Sequence, residues 1–165
     1  MIHDERMLLV EKQERDGSRV TYEYNDRGQM IAETVGKETT TYEYDPRGNL
    51  IQVVDPLGNP TSYVYSEDDL LLSEINAEGG ITSYTYDERG RLISIARPDE
   101  SHSEIGYNEH GQRVSYMDSN GVTSRYQYDD KGLLTAVYDR EGRVIQVGYD
   151  EVGRIASGWK STTHL

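Results

Sequence analysis

The chain of 165 residues contains no cysteine, no phenylalanine and one tryptophan, Trp159. Without cysteine there is no disulfide framework, no thiolate metal site and no cysteine nucleophile, and the redox compartment stays open. Apolar runs are equally scarce. Aliphatic stretches stop at three residues, as at Leu70-Leu71-Leu72, so no segment is expected to span a bilayer as a helix. The charged N-terminus, Met1-Ile2-His3-Asp4-Glu5-Arg6, lacks the apolar stretch of a signal peptide. Localisation is therefore unassigned: either cytoplasmic as synthesised, or exported as part of a larger system. Basic residues are the minority, 17 against 30 acidic, giving a formal charge of −13. That excludes the basic stripe on which nucleic-acid affinity depends and opposes adsorption to anionic membranes. The same charge favours solubility, or a basic partner.

What the chain does hold is tyrosine, 14 residues of it, and a period. The stretch Ser83-Tyr84-Thr85-Tyr86-Asp87-Glu88-Arg89-Gly90-Arg91-Leu92 recurs as Tyr42-Glu43-Tyr44-Asp45-Pro46-Arg47-Gly48-Asn49-Leu50 and as Tyr126-Gln127-Tyr128-Asp129-Asp130-Lys131-Gly132-Leu133-Leu134. Poorer copies begin at Tyr22, Tyr63, Ile105 and Val147, each 20 or 21 residues after the last. A fixed period of that size marks a repeat architecture.

Each unit reads as two short strands and two turns. Tyr42 and Tyr44 share one face of an alternating strand. Asp45-Pro46-Arg47-Gly48 has the composition of a type I turn, and Leu50-Ile51-Gln52-Val53-Val54 is rich in β-branched residues. Gly28, Gly48, Gly90, Gly111, Gly132 and Gly153 hold one turn position, where a positive φ is expected; Asp69 stands there in the third unit. No stretch shows helical periodicity. The reading is all-β: about seven 21-residue hairpin units forming some fourteen antiparallel strands, roughly 65 Å across. An open sheet that wide is expected to curve or spiral. The length is sufficient for one domain with a real core. The array occupies residues 1–156, with a partial unit at 7–20 and units starting near 21, 41, 62, 83, 104, 125 and 146. Residues 157–165 leave the pattern as a tail or end cap. The array begins mid-repeat, which fits either a worn cap or a chain cut from something longer.

The recurring Tyr-x-Tyr-Asp-x-x-Gly-x-Leu signature resembles the YD repeat, also called the RHS repeat. Tyr44-Asp45, Tyr86-Asp87, Tyr128-Asp129 and Tyr149-Asp150 carry the dipeptide, and Tyr24-Asn25, Tyr65-Ser66 and Tyr107-Asn108 are weakened versions. The resemblance covers roughly residues 7–156. It implies a sheet that spirals into a hollow shell, which bacterial polymorphic toxins and insecticidal toxin complexes use to enclose a C-terminal toxin and of which teneurins carry a similar barrel. Seven repeats would make an arc of such a shell. The family's self-cleavage segment, built on paired Asp-Pro-x-Gly motifs, is not expected here: Asp45-Pro46-Arg47-Gly48 and Asp55-Pro56-Leu57-Gly58 sit in repeat turns and lie too close together. The expected function is a non-catalytic structural scaffold from a bacterial toxin system that encloses or holds another polypeptide.

Two other readings stay open: a stand-alone carbohydrate- or protein-binding module, and a partner or immunity-type protein that adds strands to a related toxin. A tyrosine ladder can stack on sugars, although one tyrosine per unit at fixed phase suits cross-strand packing of Tyr22, Tyr42, Tyr63, Tyr84 and Tyr126. Open sheet edges allow self-association. No catalytic residue, cofactor or metal is expected. His3, His102, His110 and His164 lack ligand spacing, and the acidic turns Glu67-Asp68-Asp69 and Asp129-Asp130 lack a twelve-residue calcium loop. The leading Asp of each turn is instead expected to cap backbone N–H groups.

Overall fold

The computed structural model describes residues 1–162, with side-chain surroundings through residue 156. Among the described residues there are sixteen strands and no helix, and hence no helix long and apolar enough to cross a membrane. The chain divides into two units, Met1–Ile81 and Thr82–Leu165. In the first, β1 (Ile2–His3), β2 (Leu9–Gln13), β3 (Arg19–Tyr24), β4 (Met30–Val35), β5 (Glu38–Tyr44), β6 (Leu50–Val54), β7 (Pro60–Tyr65) and β8 (Leu71–Ile75) pair antiparallel, each with the next. In the second, β9 (Ile81–Tyr86), β10 (Leu92–Ala96), β11 (His102–Tyr107), β12 (Arg113–Met117), β13 (Thr123–Tyr128), β14 (Leu134–Tyr138), β15 (Val144–Tyr149) and β16 (Ile155–Thr162) do the same. The uniform composition gave no sign of a division. In a meander, strands touch only their ladder neighbours, so a boundary needs no linker to mark it.

The turns explain the register. At Asp45 the Gly48 N–H donates to the Asp45 carbonyl (3.0 Å), and the Asp45 N–H donates to the Asn49 carbonyl (2.9 Å). Gly48 takes φ 102°. This is a type I turn closed by a residue in left-handed backbone, which inserts a bulge into the hairpin. The pairing accordingly slips between Glu43 and Tyr44. Asp69 adopts φ 60° in the glycine slot of the third unit, the substitution that an Asp tolerates better than most side chains.

Four expectations need correction. First, there are sixteen strands, not about fourteen. Second, the first unit starts before residue 7: Asp4 to Met7 form the same turn, with Met7 at φ 66° where the other copies have Gly or Asp. A methionine there hides the turn from a glycine-based reading. Third, of the two alternatives for residues 157–165, a tail or an end cap, the tail does not fit residues 157–162, whose backbone continues β16 with Thr162 opposite Val144; residues 163–165 lie outside the described residues. Fourth, there is no conventional core. Among the described residues the buried apolar side chains are Val20, Ala32, Ala136 and Val144, and the buried polar one is Ser103. A one-layer ladder leaves both faces without a second layer to bury them.

Candidate functional site

The two faces and two rims of this ladder are the surfaces that a function can use. Period-two alternation places Tyr42 opposite Val53, and Tyr22 opposite Glu33, on one face. In β5 and β9 the tyrosines Tyr42, Tyr44, Tyr84 and Tyr86 are half-buried, while Thr41, Glu43, Ser83 and Thr85 on the other face are exposed. Tyr63 and Tyr126 lie in the same half-buried position in β7 and β13. The ladder of first tyrosines thus packs along the sheet without being sealed. Burial, with the Glu33 charge beside it, raises the phenol pKa of Tyr42; burial and the Asp45 charge do the same for Tyr65.

The second tyrosine of five of the units has a different job, which the sequence did not reveal. Its hydroxyl donates to a backbone carbonyl at the start of a strand in the preceding unit. Tyr24 reaches Leu9 (2.9 Å), Tyr44 reaches Met30 (2.8 Å), Tyr107 reaches Leu92 (3.1 Å), Tyr128 reaches Arg113 (2.8 Å) and Tyr149 reaches Leu134 (3.0 Å). These partners stand 14 or 15 residues apart, and only the bulged register brings them together.

Beside these tyrosines runs a rim of turns headed by Asp4, Asn25, Asp45, Ser66, Asp87, Asn108, Asp129 and Asp150. The head residue caps its own turn. Asp45 Oδ1 accepts from the N–H groups of Arg47 (2.9 Å), Gly48 (2.7 Å) and Asn49 (2.8 Å). Asp129 accepts from the N–H groups of Lys131 and Leu133, and Asp150 from those of Val152 and Arg154, two and four residues on. At Asp87 the Arg91 guanidinium donates at 2.7 Å, and this bond with the Arg91 and Arg89 N–H groups holds the carboxyl below its ordinary pKa.

Neighbouring turns on this rim are also tied to each other. The guanidinium of Arg6 donates to the Asn25 carbonyl (2.8 Å), Arg27 to Pro46 (2.6 Å), Arg47 to Ser66 (2.7 Å) and Arg89 to Glu109 (2.9 Å). Gln29 and Gln112 reach the carbonyls of Gly48 (3.1 Å) and Gly132 (2.9 Å). The glycine slot matters doubly at Gly132: φ is +81°, and an added Cβ would stand 3.2 Å from the Gln112 amide. The turns of Gly90, Gly111 and Gly153, with φ of 73°, 83° and 79°, repeat the backbone of Gly28 and Gly48.

Charge follows the rims. Strands hold seven acidic and five basic residues; the connecting segments hold 23 and 12, and so carry −11 of the −13. Chemistry is sparse by comparison. Among the described residues no group of three or more His, Asp or Glu is placed to hold a metal ion. His102 opens β11 and His110 lies in a turn, both exposed. His164 is outside the described residues. Asp45-Pro46 and Asp55-Pro56 head turns at opposite ends of β6.

Comparison with known proteins agrees with this architecture. No curated protein matches. Among solved structures, a chain of the Photorhabdus luminescens Tc holotoxin pore superposes with a TM-score of 0.69 at 14% identity, over 92% of this chain and 11% of that one. The TcdB2-TccC3-Cdc42 structure superposes with a TM-score of 0.50 at 13% identity, over 97% of this chain and 12% of that one. This chain therefore spans about a tenth of the length of the structures it resembles, and the likeness concerns the fold. The family model described as Teneurin YD-shell matches residues 31–163. With most of its length inside that match and the tyrosine-turn unit repeated throughout, the chain belongs to the teneurin YD-shell family.

Proposed function

We propose that this chain is a non-catalytic wall segment of a YD shell, whose task is to enclose or hold another polypeptide in a toxin-type system. The observation that carries the reading is the single-layer ladder. Tyrosine hydroxyls and arginine side chains tie one repeat to the next, while almost nothing is buried. A globular enzyme or binding domain derives its stability from a sealed core. A wall derives it from neighbour-to-neighbour contacts and leaves its faces to solvent or to contents. The Tc toxin structures it resembles support the toxin context, and the shortage of converging catalytic groups supports a structural role. The partner is a polypeptide held against one face.

Site-specific photo-crosslinking in the producing cell tests this. A benzophenone side chain placed at Val53 samples the tyrosine face, and one placed at Gln52 samples the other. The expected result is a crosslink to one polypeptide from one face alone. The same polypeptide captured equally from both faces, or from neither, overturns the enclosing role.

A further inference from the structure

In the second unit an open groove of about 650 Å³ lies along β13 and β14 and reaches the turn from Asp139 to Gly142. Its chemistry is out of keeping with the rest of the molecule. Thr123, Arg125 and Gln127 alternate onto one face of β13, and Arg125 stands directly opposite Tyr138 in β14. Tyr138 donates its hydroxyl to Gln127 Oε1 (2.9 Å), which turns the amide so that its N–H₂ is left to donate. Arg140, in the adjoining turn, also lines the groove. Both arginines are exposed. Among the described residues neither has an ion pair or a side-chain hydrogen bond.

The neighbouring carboxylates are already committed. Asp139 accepts from Arg143 Nε at 2.6 Å and Glu141 pairs with Arg143 at 3.2 Å, while Asp118 caps the N–H groups of Asn120 and Val122. Two guanidiniums therefore line one groove in which the carboxylate present, Asp139, is already held by Arg143, beside a tyrosine ring, an oriented amide and a hydroxyl.

We propose that this groove binds a carboxylate-bearing sugar. A guanidinium matches a carboxylate by paired N–H donors. The ring of Tyr138 offers an apolar face to a sugar ring, and Gln127 and Thr123 supply hydrogen bonds to its hydroxyls. This site is independent of the wall role, since a wall segment can stand with or without it.

The test is calorimetric titration of the full chain with an oligogalacturonate, its methyl ester, inorganic phosphate and an oligoglutamate peptide. Expected are binding of the oligogalacturonate and at least about tenfold weaker binding of the ester, because each charge-assisted pair is worth on the order of a tenfold change. Arg125→Gln and Arg140→Gln should each weaken the acid form by about tenfold. Arg15→Gln, which removes an exposed and unpaired arginine of the first unit, should leave binding unchanged. No binding of the oligogalacturonate at millimolar concentration overturns the proposal. So does equal binding by the ester, by phosphate or by the peptide, or undiminished binding by the two groove variants. Should Arg125→Gln fail to fold, Arg140→Gln in the exposed turn decides the matter.

Discussion

The two rims of the sheet are built from the same turn and held by different means. On the tyrosine rim, Arg27, Arg47 and Arg89 reach the next turn, and Gln29 and Gln112 crowd the glycines of the turns they touch. On the opposite rim the turns at Asp55, Asn76, Asp118 and Asp139 are capped by their own head residues, and among the described residues no side chain ties one of them to a neighbouring turn. An added Cβ at Gly58, Gly79, Gly121 or Gly142 would meet nothing within 4 Å. Local turn chemistry is thus sufficient to reverse the chain, and the ties are an additional layer that couples repeats. In a quasi-one-dimensional protein the neighbour-to-neighbour terms set cooperativity, so the tied rim is where the array gains its continuity.

The largest effect that can separate the rims comes from glycine. Gly132→Val should destabilise by about 2–3 kcal/mol in urea unfolding, from left-handed strain plus displacement of the Gln112 tie. Gly142→Val, strained at φ 75° but unopposed, should cost about 1–2 kcal/mol. Equal losses would mean that the tie contributes nothing.

Next in size is the tyrosine hydroxyl. Tyr44→Phe should cost about 0.5–1.5 kcal/mol, the net value of one hydrogen bond, whose Met30 carbonyl is left behind. Tyr42→Phe, with no hydroxyl partner among the described residues, should cost less than about 0.3 kcal/mol by the same reasoning. A reversal of that order would exchange the roles of the two tyrosines. Smaller again is Arg47→Met, which removes an exposed tie to the Ser66 carbonyl and should cost about 0.5–1 kcal/mol, against roughly zero for Arg15→Met.

The smallest effect at neutral pH appears only in acid. The folded-state pKa values of Asp45, Asp55, Asp87, Asp139 and Asp150 are all lowered from the ordinary 3.8. Depressed carboxyls stabilise the fold above the unfolded value, and that contribution disappears as pH falls below about 4 through the folded values. The Tm should therefore decline on acidification below pH 4. Asp87→Asn, copying the neutral head residue found at Asn108, should shallow that decline. A melting curve identical to wild type at pH 3 and pH 6 would show that the Asp87 cap does not govern it.

Much of this fold was legible because it is local. A four-residue turn with Asp first and Gly last reverses the chain wherever it occurs, and alternation of Tyr42 and Tyr44 fixes a face; neither needs distant partners. The readings that failed did so where locality failed. Met7 adopts φ 66° without the side chain that usually signals it.

The sequence by itself determined the period, the strands, the turns and the face on which tyrosine lies, because each is decided within a few residues by steric preference and side-chain-to-backbone hydrogen bonding. Only the tertiary structure decided which tyrosine is a hydrogen-bond donor, which arginines tie turns and which, like Arg125 and Arg140, have no side-chain partner among the described residues. Those outcomes depend on register between strands 14 to 20 residues apart. A one-residue slip turns every side chain to the other face.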